Sequence, residues 1–141
     1  LLADRGDLEG ALPLLQRARL AAPDDPDVLL RLGTILLRQG QPQAAIPALL
    51  QSTQVAPDRA DVHHLAGVAL AGAEWRDAAE REFSRAFELD GRRSDTAYCL
   101  AALLASGPSP RRQEARLWYE RALGLGAARD AALDRYFAED P

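Results

Sequence analysis

Apolar residues recur along this chain at the three- and four-residue spacing of amphipathic helices. Between residues 29 and 52 they fall at Leu29, Leu32 and Leu36 and again at Ala45 and Leu49, and a Gly-Gln-Pro segment at 40–42 separates the two runs. This spacing places side chains on one face of a helix, and Gly and Pro interrupt helices. The pattern therefore predicts two helices joined by a tight turn.

The same arrangement returns at a fixed interval of about 34 residues, as from Gly33 to Gly67. Gly67 is followed at this interval by Ala101, and Leu36 is followed by Leu70 and then Leu104. Further coincidences at this offset are Gly6 with Gly40, Ala11 with Ala45 and Ala79, Leu15 with Leu49 and Phe83, Ala18 with Ser52 and Ala86, and Pro23 with Pro57. A fixed period of this length is typical of helical repeat proteins. We expect the small residues to lie where the two helices of a hairpin cross, because only a small side chain lets the backbones approach.

These positions together resemble the tetratricopeptide repeat, whose consensus spaces Leu-Gly, Tyr or Leu, Gly, Ala, Phe or Leu, Ala and Pro across one period of the same length. The matching residues are Leu32, Gly33, Leu36, Gly40, Ala45, Leu49 and Pro57 in one repeat, and Gly67, Leu70, Ala79, Phe83 and Ala86 in the next. The resemblance implies an all-α fold, a right-handed superhelix (α-solenoid) of helix-turn-helix repeats.

Five segments follow from this period. They are a partial first repeat (1–25), repeats at 26–59, 60–93 and 94–127, the last with two extra residues in its turn, and a C-terminal capping helix and tail (128–141). Hairpin breaks are predicted near residues 6, 40, 73 and 108. In the third repeat Glu74 replaces the turn glycine and Trp75 stands one position before the usual aromatic. Leu1 and Leu2 correspond to the end of a first helix, so we expect something upstream to cover the first hairpin.

Composition and charge narrow the classes of partner. The net charge is −4 without long runs of like charge, which argues against a nucleic-acid partner. The apolar runs are shorter than the about 20 residues that cross a bilayer, so membrane insertion is not expected. A single cysteine, Cys99, excludes an internal disulfide framework and leaves the compartment open, with the cytoplasm slightly favoured and the periplasm as the alternative.

Candidate catalytic groups are few. His63 and His64 are adjacent on a predicted helix, so their side chains diverge by about 100° and cannot jointly hold a metal. Cys99 has no acid or base at helical spacing, and a half-buried packing role is expected for it. Phosphate-binding loops and hydrolase motifs are missing from the sequence. We therefore expect no catalytic, metal or cofactor site and no enzymatic activity.

By the resemblance, the first helix of each repeat lines a concave groove with its second, fifth, ninth and twelfth residues. These are Asp27, Leu30, Thr34 and Leu37, then Asp61, His64, Val68 and Ala71, then Asp95, Tyr98, Ala102 and Ala105, with Arg38 as a cationic contact. Tyr98 and His64 are the predicted main contacts, although each could equally pack between repeats. The three aspartates either cap helix N-termini or form an acidic rim that favours basic ligands. The chain has neither Lys nor Asn, so it lacks the carboxylate clamp of one subset of the family.

Three functions are compatible with these features. The leading one is a protein-interaction scaffold that binds a peptide or partner segment in the groove. The second is the substrate-recruiting repeat region of a larger enzyme, such as a glycosyltransferase, or of an envelope-assembly protein. The third is homo-oligomerisation, in which the open first hairpin and the groove pair with a second copy.

Overall fold

The computed structural model describes the backbone of residues 5–139 and the side chains from residue 10 onwards. Within these residues it contains eight helices and no β-strand. They are α1 (Arg5–Ala21), α2 (Pro26–Arg38), α3 (Pro42–Val55), α4 (Ala60–Gly72), α5 (Arg76–Leu89), α6 (Ser94–Ala105), α7 (Arg112–Gly124) and α8 (Ala131–Ala138). The predicted end of an earlier helix at Leu1 and Leu2 lies outside the described residues. The all-α prediction is confirmed.

Consecutive helices form hairpins that stack side by side. α2 packs on α3, α4 on α5 and α6 on α7, while α1 packs on α2. The first helices of the hairpins also touch one another, α2 with α4 and α4 with α6, and each second helix packs on the first helix of the next hairpin. The result is an α-solenoid with a layer of first helices and a layer of second helices.

The turns within the hairpins depend on residues in the left-handed region. Gly40 has φ of +72° between α2 and α3, and Pro42 begins α3. Glu74 adopts φ of +65° in the next turn, so this residue takes the same conformation without the freedom of glycine. The connection between α6 and α7 spans 106–111 and is longer than its counterparts at 39–41 and 73–75.

The core is built where first and second helices cross. A Cβ atom on Gly33 would lie 2.4 Å from Leu49 Cγ, so the glycine is what admits the leucine side chain. Ala45 and Ala79 on the second helices are fully buried. Phe83 is also fully buried, and burial of a side chain of this size contributes about 1.5 to 3 kcal/mol.

The last helix that the structure describes, α8, packs against the α6–α7 hairpin. The sequence places helix from residue 128, whereas α8 begins at Ala131, because Asp130 is its N-cap and accepts hydrogen bonds from the backbone N–H groups of Ala132 and Leu133. Leu133 is buried in a cluster with Tyr119, and Phe137 packs against it. These contacts join α8 to α7, and the capping role stays a prediction.

Candidate functional site

The predicted groove residues lie on the layer of first helices, which we call the α2–α4–α6 face. Its apolar members are half-buried: Leu30, Leu37, Val68, Ala71, Tyr98, Ala102 and Ala105. Thr34 is also half-buried, and its hydroxyl donates to the Leu30 carbonyl oxygen at 2.8 Å. Arg38 is exposed at the end of α2. The side chains of α2 and α4 on this face pack against the buried core cluster around Leu49 and Phe83.

The three predicted aspartates at the N-terminal ends of these helices have arginine partners. Arg59 donates to Asp27 Oδ1 at 2.7 Å and to Asp61 Oδ2 at 2.8 Å, so one guanidinium joins the starts of α2 and α4. Arg93 donates to Asp95 Oδ2 at 2.9 Å. Three carboxylates therefore face two guanidinium groups, and the acidic rim expected from the sequence is largely neutralised.

The hydrogen bonds of this row shift the acidities of its members. The bond from Arg59 holds the pKa of Asp61 below its ordinary value. Burial acts to raise the pKa of Asp95, but the Arg93 hydrogen bond and the charge of His64 together lower it. Helix capping, the other interpretation of these residues, applies only in part. The N-cap of α2 is Asp25, which accepts from the N–H groups of Asp27 and Val28.

His64 is buried between α4 and α6 and is only 9% exposed. Its Nδ1 lies 2.8 Å from the Thr96 hydroxyl, its Nε2 lies 3.4 Å from Asp95 Oδ2, and its ring packs on Phe83 with the centroids 5.6 Å apart. Burial lowers the pKa of His64. The two uses predicted for His64 were a contact in the groove and packing between repeats. In the structure its imidazole packs between repeats.

Tyr98 combines a place on the α2–α4–α6 face with a link to the capping helix. Its hydroxyl donates to Asp130 Oδ2 at 2.5 Å, and this bond raises the pKa of Tyr98 to about 12. A cavity of about 700 Å³ opens beside Tyr98, between the N-terminal ends of α6 and α8, and Asp95 and Arg135 also line it. The ring thus stands at the C-terminal end of the face.

Arg59 and Arg93 carry the charge pairing of the face, and the sequence analysis did not identify them. They are separated by the same interval as Gly33 and Gly67 and stand directly before the first helices α4 and α6, so the period that revealed the apolar positions also contains them. Comparison of charged residues at this offset would have found both. Arg93 Nε is buried without a hydrogen-bond partner.

The other chemically notable groups have structural partners. His63 Nδ1 lies 2.7 Å from Glu82 Oε2, and its Nε2 lies 2.8 Å from the Pro57 carbonyl oxygen. Cys99 is half-buried against the core cluster around Leu49 and Phe83, and burial raises the pKa of its thiol to about 11. Across residues 5–139 no three His, Cys, Asp or Glu side chains are grouped so as to hold a metal ion. None of the eight described helices is long and apolar enough to cross a membrane.

Comparison with known proteins agrees with the hairpin architecture. A family model described as "Tetratricopeptide repeat" matches residues 2–69. The crystal structure of MamA superimposes with a TM-score of 0.81 at 24% identity, covering 86% of this chain and 70% of that one. MamA from residue 41 to its end, from Desulfovibrio magneticus RS-1, gives a TM-score of 0.73 at 22% identity, covering 95% of this chain and 70% of that one.

A third similar structure is that of YrrB, described as a TPR protein with an unusual peptide-binding site. Its TM-score is 0.77 at 23% identity, and the match covers 84% of this chain and 60% of that one. A search of curated proteins found no match. With the regular repeat period and the stacked hairpins, these comparisons support assignment of the chain to the tetratricopeptide repeat family, with the family model matching residues 2–69.

Proposed function

We propose that this protein is an interaction scaffold that binds a peptide, or an extended segment of a partner protein, along the α2–α4–α6 face. The observation that carries the proposal is a continuous row of half-buried apolar residues on three adjacent helices. Leu30, Val68 and Ala102 are the fifth- and ninth-position members of this row in successive repeats. Such a row offers apolar contact area to a ligand, and apolar surface of this kind marks interaction sites on proteins.

The shape of the row suggests which ligand it prefers. Apart from the ring of Tyr98, its apolar side chains become smaller along the solenoid, from Leu30 and Leu37 on α2 to Val68 and Ala71 on α4 and Ala102 on α6. Bulky ligand side chains therefore have most room over α6, beside Tyr98. The arginine pairing leaves little net charge, so the ligand we propose is mainly apolar, with a weak preference for basic residues beside the exposed Asp27.

We propose no enzymatic activity for this chain. Members of the family are generally non-catalytic interaction modules. The two histidines and the cysteine have the packing contacts and hydrogen bonds described above, which gives each a structural use. YrrB, with its peptide-binding site, supports the same class of function, although the likeness to it is one of fold.

Selection from a displayed library of random linear peptides tests the proposal. The dissociation constant of a selected peptide is then measured by fluorescence anisotropy with Val68→Gln and Leu30→Gln, on the α2–α4–α6 face. The matched control is Val55→Gln, an exposed valine at the end of α3 in the other layer. We expect binding at least about fivefold weaker for the first two and unchanged for the control, since loss of one apolar contact costs about 1 kcal/mol. Equal binding by all three variants would place the site elsewhere.

A further inference from the structure

An arginine occupies the N-cap position of two successive first helices. Arg59, the N-cap residue of α4, donates to Asp61 of its own helix at 2.8 Å and to Asp27 of α2 at 2.7 Å. Arg93, the N-cap residue of α6, donates to Asp95 of its own helix at 2.9 Å. The pKa of Asp61 is lowered mainly by the Arg59 hydrogen bond and further by the charge of Arg93, so Arg93 also acts on α4. A guanidinium group therefore serves both the α2–α4 and the α4–α6 junction.

The junction between α6 and α8 has a carboxylate at the same position. The N-cap residue of α8 is Asp130, in the place of Arg59 and Arg93. A cavity of about 700 Å³ lies between the N-terminal ends of the two helices, and Asp95 and Asp130 both line it. We call it the α6–α8 cavity, and both of its walls are helices of this chain. Asp95 thus precedes a carboxylate, whereas Asp27 one junction earlier precedes the cation of Arg59.

The two arginines that line the α6–α8 cavity have other hydrogen-bond acceptors. Arg129 donates to the two carboxylate oxygens of Asp134 at 3.1 and 2.9 Å. Arg135 donates to the Ala131 carbonyl oxygen at 3.3 Å. The side chain of Asp95 is 54% exposed, so its carboxylate can accept a hydrogen bond from a further donor.

The other walls of the cavity suit the plane and the stem of an arginine side chain. The ring of Tyr98 lines the cavity and is held in place by the hydrogen bond from its hydroxyl to Asp130. A guanidinium group stacks on aromatic faces, and its planar fork of N–H donors can pair with carboxylates at the same time. An aliphatic stem finds apolar contacts on four alanines, which are Ala127, Ala128, Ala131 and Ala132.

Helix dipoles oppose a cation at this place, because the N-terminal end of a helix carries partial positive charge. Arg59 nevertheless occupies the N-cap position of α4, where Asp27 and Asp61 accept its hydrogen bonds. Two carboxylates therefore outweigh the dipoles at that junction. Asp95 and Asp130 give the α6–α8 cavity the same number of carboxylates.

We propose that the α6–α8 cavity binds the guanidinium group of an arginine side chain, which the peptide ligand supplies. The guanidinium group lies over the ring of Tyr98 and donates to Asp95 and Asp130, as Arg59 does in the α2–α4 junction. Apolar residues of the same peptide then lie along the α2–α4–α6 face, so the arginine fixes the register of the ligand. The peptide as the source of the arginine rests on the proposed function, whereas the guanidinium site can be tested without it.

Single blocked amino acids test the cavity on the 141-residue protein. The probes are N-acetyl-arginine amide and N-acetyl-citrulline amide, in which a neutral urea group replaces the guanidinium group. The backbone amide shifts of Tyr98 and Ala132, followed by NMR during each titration, give the dissociation constants. We expect the arginine probe to bind at least about fivefold more tightly. Equal binding of the two probes would overturn the proposal, as would equal binding of N-acetyl-lysine amide, which would mean a general cation site.

Three variants with the same change of charge locate the site. Asp95→Asn and Asp130→Asn should each lower the preference for the arginine probe to about twofold or less. Asparagine at 130 keeps a side-chain oxygen for the N–H groups of α8, so the helix stays capped. Asp77→Asn changes an exposed aspartate of α5 in the other layer and should keep the full preference. A preference that survives both cavity variants would overturn the proposal.

The same comparison in a selected peptide separates this inference from the proposed function. Peptides selected on the unmodified protein should contain one arginine at a fixed distance from their apolar residues, and its replacement by citrulline should weaken binding at least about tenfold. Peptides that bind along the α2–α4–α6 face and tolerate citrulline would support the proposed function and overturn this inference. Specific binding of the arginine probe without any peptide binding would support the guanidinium site and contradict the proposed function.

Sedimentation velocity tests a second copy as the source of the arginine. The unmodified protein and Asp130→Asn should show the same association state, because the proposed arginine belongs to a peptide. Self-association that Asp130→Asn abolishes would mean that an arginine of a second copy fills the cavity, and would overturn the peptide as its source.

Discussion

Gly67 lies so close to Phe83 that a Cβ atom on the glycine would stand 2.6 Å from Cδ1 of the ring. Gly67→Ala should therefore destabilise the fold. Overpacking costs about 1 to 3 kcal/mol, and the better helix propensity of alanine returns at most about 1 kcal/mol of it. Urea unfolding followed by circular dichroism measures the change as a lower midpoint.

The control for this substitution is Gly124→Ala. Gly124 ends α7 and has no heavy atom within 4 Å of an added Cβ. The same chemical change there should leave stability unchanged or raise it by up to about 1 kcal/mol. Equal effects at the two glycines would mean that the Gly67 crossing is less tight than these distances indicate.

The helix crossing at Gly67 could be predicted from the sequence because the same steric requirement recurs in every repeat. A close approach of two helices requires a small residue in every repeat, so Gly33, Gly67 and Ala101 recur at one interval. The burial of His64 could not be predicted in this way. Its contacts, Phe83 and Thr96, lie farther along the chain, and the resemblance assigned the residue to a groove by its position within one repeat.

Glu74 holds a backbone conformation that glycine adopts at lower cost. Its φ of +65° matches the +72° of Gly40 in the preceding turn. Glu74→Gly should raise the free energy of unfolding by about 1 kcal/mol, because a side chain in this region costs about 1 to 3 kcal/mol and the greater entropy of unfolded glycine offsets part of the gain. The reciprocal change Gly40→Ala should lower it. Melting temperatures that move in the same direction for both variants would contradict this account.

Arg59 links two repeats and sets the acidity of Asp61. Arg59→Gln should move the pKa of Asp61 up towards its ordinary value, since the hydrogen bond from Arg59 is the largest cause of its depression. Stability should change by less than about 1 kcal/mol, because the pair is partly exposed. Carboxylate titration by NMR measures the pKa. Arg85→Gln, which affects a surface pair with Glu88, is the control and should leave Asp61 unchanged.

The buried imidazole of His64 gives the stability of the fold a pH dependence. Burial depresses the folded-state pKa of His64, so between that value and the ordinary value of about 6.5 the unfolded chain binds a proton that the folded chain does not. This contribution to stability is complete above about pH 6.5 and is lost as the pH falls through that window. Asp95, Arg93 and Thr96 face the ring from the α6 side, and the carboxylate of Asp95 opposes the shift without reversing it.

Chemical denaturation at a series of pH values from about 7 to about 5 measures this effect. His64→Gln should flatten the decline in unfolding free energy. His63→Gln is the matched control, because it removes the neighbouring imidazole and leaves His64 in place. It should retain the decline in unfolding free energy that His64 causes. Identical slopes in the unmodified protein and His64→Gln would show that another group is responsible.

Tyr98 has two roles that different substitutions can separate. Its hydroxyl binds the carboxylate that caps α8, while its ring stands on the proposed binding face. Tyr98→Phe keeps the ring, so it should leave peptide affinity within about twofold but increase hydrogen exchange at the N–H groups of Ala132 and Leu133. Tyr98→Leu removes both contributions and should also weaken a selected peptide by about 1 kcal/mol or more.

Asp130→Ala completes the comparison at Tyr98, because it removes the cap of α8 and leaves the tyrosine in place. It should raise exchange in α8 by more than Tyr98→Phe does, since the side chain of Asp130 accepts both N–H groups directly. The affinity of an arginine-free peptide should depend on the aromatic ring of Tyr98 and not on the N-cap of α8. If Tyr98→Phe and Asp130→Ala weaken the peptide as strongly as Tyr98→Leu, the order of α8 governs binding, and the aromatic contact assigned to Tyr98 is wrong.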